Sequence, residues 1–257
     1  MSDLIHQEAE EETKRPEAEA EAEQEAGAGD MSLVGHLEEF RRRLLICLAA
    51  IAVGSTGCYF YAAQLVHIIT APAGKLYYMS PGEAFFTYLK VSFFAGFLLA
   101  LPIVLYQMWA FIVPALSKKE RGTGLFLVPA SVLLFFIGLA FGYLLALPAG
   151  IKFFMGFATE DLQPLLSLGE YLSFVISFLL PFGIVFELPL FILVLAKVGF
   201  VGSAFLKSKR KHVLVLSFVI GAVLSPTPDV FSQTMVAVPM IVLYEISYWI
   251  VRFIMKK

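Results

Sequence analysis

A chain of 257 residues that is 59% hydrophobic and only 16% charged, with 25 phenylalanines, has too little polar surface to enclose its apolar mass in water. A soluble globular domain is excluded, and a membrane bundle remains. The net charge of −2 hides a division: the first 30 residues hold 11 acidic and 2 basic residues, and the rest holds 17 basic against 10 acidic, a balance of +7 that suits loops lying on anionic lipid.

Residues 1–30, rich in Glu and Ala, read as a disordered acidic tail. They contain no apolar core, so no cleavable signal peptide is expected, and insertion falls to the first spanning helix. Residues 31–257 read as one membrane domain of an all-α protein. It begins with an amphipathic helix, Met31–Arg43, whose Leu33, Leu37, Phe40 and Leu44 share one face. This helix is expected to lie in the membrane interface and run into the first span.

Six spanning helices are predicted, at about 44–63, 91–113, 125–147, 171–195, 212–224 and 230–251. The first four reach the roughly 20 residues needed to cross the hydrocarbon. The fifth covers only about 20 Å at 1.5 Å per residue and is followed at once by Ser225-Pro226-Thr227-Pro228-Asp229, which turns the chain. Helices five and six should therefore form a short hairpin that thins the bilayer locally or leaves a water-accessible hollow. Pro102, Pro129, Pro181, Pro189 and Pro239 fall inside spans and predict bowed helices around a concave face. Cys47 and Cys58 lie about 16 Å apart along one helix axis, too far for a disulfide. Lys and Arg crowd the segments on one side, leaving Lys75, Lys90 and Lys152 on the other, so both termini are expected in the cytoplasm.

Motifs for nucleotide binding, zinc proteolysis and a serine nucleophile are missing, and the four histidines have no ligand-like spacing. Neither an enzyme, a metal nor a cofactor is expected. Acidic side chains stand out instead. Glu38 and Glu39 adjoin Arg41, Arg42 and Arg43, and Glu120 adjoins Lys118, Lys119 and Arg121. These glutamates are either exposed partners of neighbouring bases or an acidic patch on a basic face that captures a cationic peptide. Glu187 and Glu245 lie inside apolar spans, where ionisable groups are costly and functional by default. Glu187 is either a neutral hydrogen-bonded acid or a polar contact point. Glu245 is placed to pair with Arg252 or Lys256. Asp229 reads as the N-cap of the sixth helix, and Trp109 and Trp249 as interfacial belt residues.

His36–Leu44 (HLEEFRRRL), Leu101–Arg121, Phe186–Pro189 (FELP) and Ser225–Gln233 (SPTPDVFSQ) together resemble, in order, the landmarks of the TatC family. That resemblance covers residues 31 to 255. It implies a receptor subunit of the twin-arginine translocase in the bacterial inner membrane. Such a subunit binds twin-arginine signal peptides and exports folded proteins on the proton motive force, with single-span TatA and TatB-type partners and further copies of itself. By position, it implies that Glu39 and Glu120 hold the two arginines, with Arg41, Lys118, Lys119, Arg121 and Phe111 shaping the site. Pro72, Pro102, Glu187 and Asp229 match further landmarks, and Val223 and Leu224 match a docking face for a partner helix. Phe40 replaces a leucine of the pattern, and SPTPD a more compact turn. No nucleic-acid partner is implied. The competing reading is a proton-coupled transporter of a small solute relaying through Glu187 and Asp229. The lack of an internal repeat weighs against it, and a passive scaffold is a third possibility.

Overall fold

The structure, a computed structural model, describes residues 35–112, 124–159, 161 and 164–253. The acidic tail, the start of the predicted amphipathic helix, and the segment carrying Lys118, Lys119, Glu120 and Arg121 lie outside the described residues. The chain divides into two compact units, Met1–Ile46 and Cys47–Lys257.

The described residues are helical almost throughout. Helix α1, Gly35–Tyr59, contains both the end of the amphipathic stretch and the first span. No break separates them, because Glu38 to Arg43 are good helix formers and no Gly or Pro intervenes before Gly54. Next come α2 (Ala62–Thr70), a single tight turn Ala71–Ala73, and α3 (Glu83–Ile112). After the 113–123 segment follow α4 (Gly124–Phe141), a π-helical stretch Gly142–Ala146, and α5 (Leu147–Met155). The chain then continues through α6 (Leu168–Phe186), α7 (Leu188–Val198), α8 (Ser203–Leu224) and α9 (Val230–Phe253).

Five helices, or joined pairs, are long and apolar enough to cross a membrane: α1, α3, α4 with α5, α6 with α7, and α9. The sixth predicted span corresponds to α8. It is longer than its apolar part, because the helix begins nine residues earlier, at Ser203, and carries Lys207, Lys209, Arg210 and Lys211 in its first half. Polarity ended the predicted span at His212, but Lys and Arg have high helix propensity and extend the helix past the apolar boundary.

The centre of the larger unit is α6. Tyr171, Leu172, Val175, Phe178, Leu179, Phe182 and Val185 are all buried, at the three-to-four spacing of one helical face that packs on α3, α4 and α9. Phe174, Phe178 and Phe182 form a ring ladder with centroids 5.3 and 5.4 Å apart, and Phe141 joins it at 5.7 Å. Bilayer lipid is as apolar as these side chains, so close fit rather than water exclusion must hold helix to helix. Glycine supplies that fit on α4 and α6. A Cβ on Gly138 would stand 2.4 Å from the Phe182 carbonyl oxygen, and one on Gly183 2.6 Å from the Phe135 ring.

Pro102, Pro129, Pro181 and Pro239 lie inside helices as predicted. Pro189 instead sits in the first turn of α7, where its missing N–H costs nothing. It leaves the Val185 carbonyl without its helical donor, and α6 stops at Phe186. Helix α7 ends at Gly199, which adopts φ 91° and lets the Gly199 and Phe200 N–H groups bond back to Ala196 and Leu195. Cys47 and Cys58 are free, as their spacing requires.

Candidate functional site

In the smaller unit, Glu39 accepts from its neighbour one turn on: Arg43 donates through Nε at 2.9 Å and Nη2 at 2.5 Å. This is an i,i+4 ion pair with the Glu39 side chain 40% exposed. Glu38 and Arg41 are exposed on the same helix. Glu39 is thus partnered by an adjacent base and remains open to solvent. Of the other predicted site residues on this face, Phe111 is half-buried at the end of α3.

In the larger unit, a buried polar relay joins three helices. Trp109 of α3 donates through Nε1 to the Ser131 hydroxyl of α4 at 2.7 Å, and that hydroxyl donates to Glu187 Oε2 at 2.7 Å. Trp109 and Ser131 are buried, so Trp109 is not the interfacial residue its position suggested. The indole turns inward because Ser131 offers its N–H an acceptor. Glu187 occupies the break between α6 and α7. Its second oxygen, Oε1, is buried with no hydrogen-bond partner among the described residues. Ser131 stands alone as a polar group between Pro129 and the apolar run that follows, a legible signal that the sequence reading passed over. Ser131→Ala leaves a buried N–H and a carboxyl oxygen both unmet, so a loss of about 2 kcal/mol is expected. Thermal unfolding in detergent measures it.

Glu245 is paired, but with a different base from those expected. Arg210 of α8 donates to it at 2.5 Å and lies 4.3 Å from the Tyr248 ring centre, while Arg252 donates to the Tyr248 hydroxyl at 2.8 Å. The α8 extension that the sequence reading cut short carries Arg210, so this cross-helix lock could not be foreseen. Trp249 is exposed and stacks on Phe253, consistent with a belt position.

At the α8–α9 turn, Asp229 Oδ1 accepts from the Ser232 N–H at 2.7 Å, capping α9 as predicted. Ser225 and Thr227 close the loop through their hydroxyls. Burial pushes the Asp229 carboxyl up, but hydrogen bonds from Thr227, Ser232 and Phe231 outweigh it and hold the group below the ordinary carboxylate range. Its contribution to stability is therefore present above about pH 4 and is lost as pH falls through the lower folded value. An acid-induced loosening of the hairpin is expected, absent in Asp229→Asn, which keeps a cap without the charge; unfolding temperature against pH reads this out. Val223, at the end of α8, is 77% exposed, and Leu224 is half-buried beside it. Pro72 lies in the tight turn before Gly74, whose φ of 75° closes it. Asp229 bonds within its own turn and Glu187 with Ser131. Among the described residues no hydrogen bond links the two acids, as a proton relay would need.

One further carboxylate was missed. Glu83, the first residue of α3, accepts from the Met79 N–H at 2.5 Å, the Gly169 N–H at 2.7 Å and the Ser167 hydroxyl. Beside it, Tyr77 pairs with the 166–168 backbone. Glu83 therefore fastens one connecting loop, α3 and the N-terminus of α6 together. As a lone acid at a helix start it looked like any N-terminal helix residue.

Known proteins match this arrangement over nearly its whole length. A family model described as Sec-independent protein translocase protein (TatC) matches residues 35–239. The chain belongs to the TatC family. It is 44% identical to the Sec-independent protein translocase protein TatC of Magnetococcus marinus, over 88% of this chain and 85% of that one. It is 39% identical to the TatC of Escherichia coli, covering 88% and 90% respectively. A crystal structure of a twin arginine translocase receptor, TatC, superposes with a TM-score of 0.75 at 39% identity, covering 84% of this chain and 98% of that one. The chain is thus a multi-pass membrane component of Sec-independent protein transport. The TatC family resemblance read from four motifs holds, and with it the all-α fold.

Proposed function

We propose that this TatC family member is the receptor subunit that binds twin-arginine signal peptides at the cytoplasmic face and nucleates the translocase for export of folded proteins. In this reading Glu39 and Glu120 each take one guanidinium, and Arg41, Lys118, Lys119, Arg121 and Phe111 bound the site. The observation that carries the reading is Glu39 itself, a solvent-open carboxylate already holding a guanidinium by two nitrogens. Carboxylate and guanidinium meet as planar forks, whereas an ammonium is a point charge, so such a site selects arginine over lysine.

The remaining roles follow from the same reading. Val223, exposed at the end of α8, and Leu224 dock the helix of a TatA or TatB-type single-span protein, and further copies of this chain join the complex. The unmet Oε1 of Glu187 accepts from a polar group on an incoming signal peptide or partner helix. Both termini lie in the cytoplasm, as Lys and Arg placement indicates, the membrane is the bacterial inner membrane, and the proton motive force supplies the energy. The test is direct: the purified protein should bind a twin-arginine peptide and discriminate by about tenfold or more against its twin-lysine counterpart, the difference of one good bidentate pair. Equal binding of the two peptides defeats the assignment.

A further inference from the structure

Lys90 has no role in the receptor reading, yet it lies seven residues into an otherwise apolar stretch of α3, about 10 Å from the helix start at 1.5 Å per residue. Helix α3 has 30 residues, about 45 Å, and overhangs a hydrocarbon core of roughly 30 Å at its ends. Lys90 therefore stands near the level where hydrocarbon gives way to headgroups. Its ammonium donates to the Ser173 hydroxyl of α6 at 3.0 Å, and that hydroxyl spends its own proton on the Gly169 carbonyl. One of three ammonium protons is thus used.

Below this pair, α3 and α6 part to leave an open groove of about 770 Å³, walled by Phe93, Phe97, Ile176 and Leu180. Above it a second hollow of about 580 Å³ is polar, and Lys90 and Ser173 line both. Glu170, exposed and one turn nearer the start of α6, stands at its outer side. The order from the membrane interior outward is an apolar trough, a cation, then an anion. A phospholipid bearing ethanolamine presents an acyl chain, a phosphate and then an ammonium in the same order.

We propose that this groove seats one phospholipid of the phosphatidylethanolamine class, with its phosphate on Lys90, its ammonium on Glu170 and one acyl chain between α3 and α6. Glu83 is committed to Met79, Ser167 and Gly169, which holds the two walls in place and leaves Glu170 as the headgroup acceptor. A choline headgroup lacks N–H donors for Glu170, and a glycerol headgroup lacks the positive charge.

The experiment is native mass spectrometry of the whole protein, extracted in mild detergent and offered phosphatidylethanolamine, phosphatidylcholine or phosphatidylglycerol. Wild type should retain one ethanolamine lipid in preference to the others. Lys90→Gln should weaken retention about tenfold, the size of one lost charge-assisted hydrogen bond, and Lys90→Arg should restore it. Glu170→Gln should keep binding but erase the preference over choline. Ile176→Trp, which fills the trough, should expel the lipid while binding of a twin-arginine peptide persists. Indifference to headgroup in wild type, or undiminished retention in a folded Lys90→Gln protein, overturns the proposal.

Discussion

Glu39→Ala is expected to abolish export of twin-arginine precursors and to weaken peptide binding roughly ten- to hundredfold, with membrane insertion and helix content unchanged. In the receptor reading an incoming arginine must first displace Arg43. That pair is an exposed i,i+4 contact, and such pairs are worth only about 0.3–0.5 kcal/mol. A bidentate guanidinium arriving with a whole peptide outweighs it, so the resident ion pair holds the carboxylate ready without blocking it. Removing the competitor in Arg43→Gln should leave binding intact or slightly tighter. Glu120→Ala should match Glu39→Ala in size, and the double variant should add little once export has failed. Export is followed by the appearance of a folded reporter outside the cytoplasm, and binding by fluorescence anisotropy of a labelled peptide. Normal twin-arginine binding in the Glu39→Ala, Glu120→Ala double variant would remove the proposed site.

Gly138→Leu is expected to do more damage than any change at the site, because it prevents the central packing rather than a contact. A Cβ there meets a backbone oxygen at 2.4 Å, and a carbonyl inside α6 cannot swing away as a side chain could. Overpacking in a compliant core costs about 1–3 kcal/mol, occasionally more; a block by backbone belongs at or beyond that upper end. The expected result is loss of the monodisperse species in detergent and rapid degradation in cells. Gly57→Ala on α1, which has open space around its Cβ, should be tolerated. Equal yields of the Gly138→Leu and Gly57→Ala proteins would show that α4 and α6 do not cross as closely as described.

Much of this molecule was legible in its sequence, for identifiable reasons. Apolar runs and their length are a direct reading of the bilayer as a solvent, so the helices emerged within a few residues of their ends. The Asp229 cap was legible because capping is local, settled by the chain three residues on. What escaped depended on distant partners. Trp109 looked interfacial until Ser131, on another helix, gave its N–H an acceptor inside. Glu245 was assigned to bases on its own helix, because hydropathy ended α8 before the turn that carries Arg210. Glu83 required Ser167 and Gly169, more than eighty residues away, to be seen as more than a helix start. The residues of greatest functional interest fall on both sides: Glu39 is legible by motif and found open, whereas Glu120 lies outside the described residues.

The wide turn at Gly142–Ala146 carries a consequence for how this chain can change length. A π-helical stretch is an α-helix holding surplus chain, commonly in a single turn. Removing one residue there would make α4 and α5 a seamless rod and rotate everything beyond by about 100°. Phe153, now stacked face to face on Phe231 of α9 at 4.3 Å, would swing off its neighbour. Single-residue deletions should therefore be purged from this stretch, although it lies far from any charged group.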